Sequence, residues 1–345
     1  MTGLRIRGED VRNYILNNIE KHPGDISKIT ATHFGITRQA VNKHLQKLTN
    51  EKALAVAGNT RGKTYTVVPL SEWTEAYTIA PGLAEDLVWR NDIQPALAHL
   101  PANVLNIWHY GFTEMFNNAI DHSSGMRIIV EIVKTAANTQ ILVNDNGIGI
   151  FKKIQAELNL IDARHAVFEL AKGKLTTDPK HHTGEGIFFA SRMMDSYTIL
   201  SDGAWFNHKF GDPEDWILQQ DGGRGTTVFM KLNNHTARTV KAVFNQFAAG
   251  EDYGFNKTVV PVGLAQYGAE ALISRSQAKR LLARVELFKK VIFDFEHVKE
   301  IGQAFADEIF RVFANAHADI ELVAINANTG VKQMIQRAKT AATQQ

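Results

Sequence analysis

Glu114 and Asn118 stand four residues apart in a stretch whose apolar residues recur at helical spacing, so they share one helix face. A carboxylate there can deprotonate a water or a hydroxyl, and an amide oxygen one turn on can ligate Mg²⁺. His122 lies a further step along the same stripe. Downstream, a strand-like run leads into Asp145-Asn-Gly147-Ile-Gly149. Asp-Asn-Gly is a common turn, but a buried Asp145 carboxylate could also accept a hydrogen bond from the exocyclic amine of adenine. Guanine carries a carbonyl at that position, which would leave two acceptors face to face, so such a site discriminates against GTP. Gly147 and Gly149 would let the backbone approach the base.

Two further elements follow. Thr183-Gly184-Glu185-Gly186 precedes a helix-patterned run over 187–194. Glycines opening a helix present bare N–H groups and the positive dipole end to an anion, here a triphosphate. The segment before them, 172–182, holds several cations including Lys174, two threonines and a proline. It reads as a mobile lid facing the phosphates. His181 and His182 are adjacent and point apart in most conformations, so no metal site is expected there. Lastly, Gly225-Thr226 enters an alternating strand over 228–232, and Thr226 is placed to support Asp145 and the base. Each element alone is weak; their order carries the signal, which is for ATP with Mg²⁺.

The elements that must position these residues are a helix over 104–122 and strands over 127–133 and 139–143. The helix turns Val104, Ile107, Trp108, Phe112, Met115 and Ala119 inward. A helix from 151 follows. The order of motifs resembles the GHKL (Bergerat-fold) ATPase superfamily, and the resemblance covers about 130 residues. It implies Glu114 as general base and Asn118 as magnesium ligand. It implies Asp145, Gly147 and Gly149 at the adenine, and Thr183, Gly184 and Gly186 at the phosphates, with Thr226 in the last box. Glu185 departs from the family, which often has an apolar residue there. A carboxylate beside phosphates repels them, so Glu185 should point outward or pair with a lid cation. No phosphoacceptor His stands in a helical hairpin upstream, which argues against a sensor histidine kinase.

A chain of 345 residues with 44% hydrophobic and 21% charged residues is too long for one ordinary core and should form two or three domains. It has no cysteine, which excludes disulfides, thiolate metal sites and cysteine nucleophiles. The first ten residues lack the apolar stretch of a secretory signal, and no apolar run reaches the ~20 residues of a membrane helix. A soluble, cytoplasmic protein is expected. The net charge of +2 divides unevenly: residues 1–70 carry eleven Lys/Arg against five Asp/Glu, leaving the rest mildly acidic. A basic head of this kind suits nucleic acid.

Within that head, helices are expected over 9–20, from Ile26 to Phe34 with Asp25 as cap, and from 38 to about 50 with Thr37 as cap. Runs at 53–57 and 64–68 flank a glycine-bounded turn and read as a hairpin. The segment resembles the winged helix-turn-helix domains of bacterial transcription regulators. Arg38, Gln39, Asn42, Lys43 and Lys47 face outward from the third helix with chemistry for base edges and phosphates. Arg61 and Lys63 at the wing tip suit backbone contacts. A protein-interaction module with a solvated basic face is the competing reading.

Residues 71–100 are expected to form a linker or helical connector. Beyond 258 the pattern is helix (273–287), strand (290–295), helix (302–314), strand (319–325), helix (330–338), a small α/β unit with a parallel sheet. It resembles the STAS-like domains found with bacterial regulatory ATPases, including anti-anti-sigma factors. Those antagonists carry a phosphorylatable Ser at the start of the helix after the strand. Here Ile301-Gly302-Gln303-Ala304-Phe305 has no hydroxyl, so modification in cis at that place is excluded.

The expected architecture is thus a multidomain α+β chain. It comprises a winged helix (1–70), a Bergerat-type α/β sandwich (101–235) and a STAS-like α/β domain (258–345). The expected function is an ATP-binding, ATP-hydrolysing, DNA-binding regulator. A protein Ser/Thr kinase resembling the anti-sigma kinases and a binding-only sensor are the alternatives. A homodimer, a DNA partner and a protein partner for the tail follow from the resemblances, with no membrane contact.

Overall fold

The computed structural model describes residues 8–59, 62–160, 162–175, 184–210, 216–219, 224–248, 254–266 and 271–342. Arg61, Thr183, His181 and His182 lie outside the described residues. In the head, α1 (Gly8–Asn18), α2 (Ile26–Phe34) and α3 (Arg38–Asn50) enclose a core that includes Ile15, Ile19, Ile26, Val41 and Leu45. Thr37 caps α3 as expected: the Ala40 N–H donates to Thr37 Oγ1 at 3.2 Å. Asp25 does not cap α2, because its carboxylate instead meets His22 Nδ1 at 3.0 Å. β1 (Leu54–Ala57) and β2 (Thr64–Val67) pair antiparallel beside the three helices.

The expected connector over 71–100 is corrected in its first third. Pro69–Thr78 forms a strand, β3, followed by α4 (Glu85–Val88), a π-helical turn at Trp89–Ile93 and α5 (Gln94–Leu97). Trp73 and Tyr77 pack against the central core while most of the other strand residues are exposed. The Tyr77 hydroxyl donates to Asp92 Oδ2 at 2.8 Å, and its ring stands edge-on to Phe116. β3 is an edge strand, so two aromatic anchors suffice, and the run lacks the apolar alternation of a central strand.

Helix α6 (Ala102–His122) fully buries Trp108, Phe112 and Phe116, each burial contributing roughly 1.5–3 kcal/mol. It packs on a seven-stranded sheet of β3, β4 (Arg127–Thr135), β5 (Asn138–Asp145), β6 (Ser196–Ser201), β7 (Ala204–Lys209), β8 (Trp216–Gln219) and β9 (Thr226–Asn233). The spatial order is β3-β4-β5-β9-β6-β7-β8, and every adjacent pair is antiparallel. β9 alternates buried and half-buried residues, the pattern of a strand with one face on a core. Between β5 and β6 run α7 (Ile150–Glu157), α8 (Ala163–Lys172) and α9 (Gly186–Met193); α10 (Val240–Phe247) follows β9. Because β5 and β9 are antiparallel neighbours, with Asn144 opposite Thr227, the end of one and the start of the other bring Asp145 beside Thr226.

The tail comprises β10 (Lys257–Pro261), α11 (Arg275–Leu282), β11 (Lys290–Asp294), α12 (Gln303–Asp307), α13 (Ala314–Ala316), β12 (Glu321–Ile325) and α14 (Thr329–Ala342). A π-helical turn at Glu308–Phe313 joins α12 to α13. The three strands are parallel in the order β10-β11-β12, one strand more than the sequence pattern announced. Helix α11 is shorter than the expected 273–287. A capping box between Ser274 and Gln277 starts it, and a 3₁₀ turn at Val285–Leu287 follows its end.

The chain is therefore mixed α/β with several sheets. One continuous apolar core runs from Val88 to Ala338 through both the central sheet and the tail. The head keeps its own core, which Ala137 from the β4–β5 turn joins. Glu20 fixes the head polar-side: its carboxylate accepts from Lys231 Nζ at 2.6 and 2.8 Å and from Asn138 Nδ2 at 3.1 Å. Among the described residues no helix is long and apolar enough to cross a membrane.

Candidate functional site

A cavity of about 270 Å³ opens between α6, the end of β5, α7, the end of α8, the start of α9 and β9. Its wall includes Glu114, Asn118 and His122 from α6, Asp145 from β5, Gly184 and Gly186 before and at the start of α9, and Thr226 from β9. Residues separated by more than a hundred positions thus meet on one surface. Val143, Ile150, Ile154, Leu170, Ile199 and Val228 supply apolar walls.

Asp145 is 5% exposed. Its Oδ1 accepts the Gly147 N–H at 2.8 Å and the Thr226 N–H at 3.3 Å. Burial raises its pKa above the ordinary aspartate range and the Asp202 charge adds to the rise, while the two backbone donors oppose it. Thr226 Oγ1 accepts the Ile150 N–H at 3.0 Å, so the start of β9 also anchors the start of α7.

Gly147 and Gly149 are both required by packing. A Cβ on Gly147 would overlap the backbone of Ser123. Gly149 sits at φ +86, where a side chain would be strained and would meet the Asp202 carboxylate. Neither glycine is among the residues of the cavity wall.

At the opposite end, Gly186 starts α9 directly against Glu114, and a Cβ there would overlap the Glu114 carboxylate. Tyr110, one turn before Glu114, has its hydroxyl pKa raised by burial and by the charges of Glu114 and Glu185. Two carboxylates thus act on this end of the cavity. Glu185 precedes α9; burial raises its pKa and the Lys174 charge opposes the rise.

Lys174 does not face the cavity. Its ammonium donates to the Leu287 carbonyl at 2.9 Å and lies 4.9 Å from the centre of the Phe288 ring. Burial holds its pKa below the ordinary lysine range, with Glu185 opposing. Lys172, expected in the same phosphate-facing lid, is 1% exposed and turned into the tail. It donates to Glu169 Oε1 and to the Ala283 carbonyl, both at 2.7 Å, and to the Arg280 carbonyl at 3.2 Å. The last carbonyls of α11 attract a cation, and Lys172 meets them, while Lys174 meets a carbonyl of the 3₁₀ turn that follows.

Two polar residues of the wall escaped the sequence reading. Ser123 lies just past the end of α6, and Lys153 sits on α7 with Nζ 3.2 Å from the His122 carbonyl oxygen. Lys153 turns toward the end of α6, whereas its neighbour Lys152 is exposed and pairs with Asp202 at 2.8 Å. Among the described residues no three His, Asp or Glu side chains converge as a metal site. A divalent ion at Asn118 would therefore need oxygens from its ligand to complete its shell.

In the head, Arg38, Gln39, Asn42, Lys43 and Lys47 are all exposed on α3, opposite the buried Val41, Leu45 and Leu48. Asn42 Oδ1 accepts the Ser27 hydroxyl at 3.1 Å, and Lys47 pairs with Glu51 at 3.7 Å. Lys63 is exposed beside β2. Burial lowers the pKa of His44, and the charges of Arg12 and Lys47 lower it further.

Residues 277–332 match a protein family described as a STAS-like domain of unknown function (DUF4325). The match runs from α11 into α14 and leaves the head and the seven-stranded layer outside it. No curated protein matches the chain. The Gly302-Gln303 junction that opens α12 falls within the matched region. A Cβ on Gly302 would overlap the backbone of Ile273, so the missing hydroxyl there coincides with close packing.

Proposed function

We propose that the chain is an ATP-dependent regulator: a GHKL-type nucleotide site coupled to a STAS-like tail and to a DNA-binding winged helix. The observation that carries this reading is the convergence of Glu114, Asn118, Asp145, Gly184, Gly186 and Thr226 on one cavity. In this reading Asp145 takes the adenine amine. A carboxylate offers about four acceptor positions, so the two backbone donors on Oδ1 leave room for the ligand.

Asn118 ligates Mg²⁺ together with phosphate oxygens, and the ion offsets the negative field of Glu114 and Glu185. The N-terminus of α9 faces the terminal phosphates. Glu114 serves as general base toward water, and the adjoining Gly186 keeps its carboxylate at the start of that helix. Two features of the head support DNA binding: the excess of cations and the exposed polar row on α3. Nucleotide controls the chain through different contacts in its bound and free states.

The test follows the label from γ-labelled ATP, with and without DNA. Free phosphate from the wild type and none from Glu114→Ala supports hydrolysis. Labelled protein instead assigns a protein kinase, and retention of intact ATP by both proteins assigns a sensor.

A further inference from the structure

Among the described residues, the cavity wall carries two carboxylates, Glu114 and Asp145, and one ammonium, that of Lys153. Lys152, its neighbour, is directed to Asp202 at 2.8 Å, and Lys172 and Lys174 are taken by the tail. The place of Lys153 along the cavity follows from α6. Glu114, Asn118 and His122 succeed one another by one turn each, so Glu114 and His122 lie about 12 Å apart along the axis. Glu114 marks the end at α9. His122 marks the other end, because the adjacent Ser123 carbonyl accepts the Ile148 N–H at 2.8 Å within the Asp145 loop.

Lys153 Nζ is held there by the His122 carbonyl at 3.2 Å and lies 3.4 Å from His122 Nδ1. The last carbonyls of α6 favour a cation at this point. A base seated at Asp145 places its sugar and first phosphate beside this pair, while the last phosphate reaches Glu114.

We infer that Lys153, positioned by His122, binds the phosphate nearest the ribose. This rests on the adenine-nucleotide reading of the cavity and adds a residue to it. Lys153 makes the site a reader of phosphorylated adenosine independently of any metal. A charge-assisted hydrogen bond of ordinary strength corresponds to roughly tenfold in affinity.

The test is calorimetric titration of the full chain, without Mg²⁺, using adenosine and AMP on the wild type, Lys153→Met and Lys153→Arg. Matching thermal midpoints check that the variants fold. The expected result is equal adenosine affinity in all three, AMP weakened about tenfold in Lys153→Met, and AMP largely kept in Lys153→Arg. Equal losses for adenosine and AMP, or no loss for either, overturn the assignment. A wild type that binds adenosine but gains nothing from the phosphate removes Lys153 alone. A wild type that binds neither adenosine, AMP nor Mg²⁺–ADP removes the adenine reading and Lys153 with it.

Discussion

Glu114 and Gly186 show how tightly one residue's chemistry depends on another's lack of a side chain. The atom that a Cβ on Gly186 would strike is the far end of the Glu114 side chain, which can swing aside at little cost. Gly186→Ala is therefore predicted to displace the carboxylate rather than unfold α9. On the proposed hydrolysis with Glu114 as base, the expected outcome is turnover reduced by about tenfold or more, with nucleotide affinity and thermal midpoint nearly unchanged. Single-turnover hydrolysis alongside a binding titration checks it; parallel losses in affinity and rate would instead assign Gly186 to the binding surface alone.

At the scale of elements, α8 belongs to two structures at once. Leu170 lines the cavity, and two residues on Lys172 is buried at the end of α11. Burial pushes the Lys172 ammonium down to about 8, with Glu169 opposing. The Thr258 hydroxyl also donates to the Lys172 carbonyl at 2.7 Å, and Arg284 reaches Glu169 and the Lys174 carbonyl. Lys172→Met leaves the Glu169 charge buried with Arg284 alone, and it is expected to cost about 3 kcal/mol of stability. Adding Glu169→Leu should recover most of that loss. Urea unfolding midpoints of the wild type, both single variants and the double variant decide the matter, and an additive double variant would contradict a coupled pair.

The same element marks the limit of what the sequence reveals. The periodicity of α6 and the abrupt end of β5 are local properties, so Glu114, Asn118 and Asp145 could be read directly. Lys172 and Lys174 follow a non-local rule, since their partners are carbonyls more than a hundred residues away. Edge strand β3 hides for a related reason. A strand that buries two aromatics on one side needs no repeating apolar pattern, and its register is set by its neighbour.

For the whole molecule, three units are joined by different means. The tail shares an apolar core with the central sheet, whereas the head contacts it through Glu20, Asn17 and the β4–β5 turn. That contact is polar at Glu20 and Asn17 and apolar at Ala137, which is buried in the head's core. The exposed α3 row stands clear of that contact, and on the proposed DNA-binding role the double variant Arg38→Ala/Lys43→Ala weakens DNA binding. If both side chains contact phosphates as proposed, their removal lowers the slope of log affinity against log salt by about two. Fluorescence anisotropy across a salt series reads this; an unchanged slope would move the DNA surface elsewhere.

The most direct measurement on the central site is isothermal titration with Mg²⁺–ADP and Mg²⁺–GDP from neutral pH downward. The expected result is saturable heat with ADP, at least about tenfold weaker binding of GDP, and ADP affinity that declines as the pH falls through the raised pKa of Asp145. Because burial lifts that pKa above 3.8, the carboxylate takes up its proton, and ceases to accept, at a higher pH than an ordinary aspartate. No heat with ADP, or equal heats with ADP and GDP, would contradict the assignment of Asp145 and with it the nucleotide site.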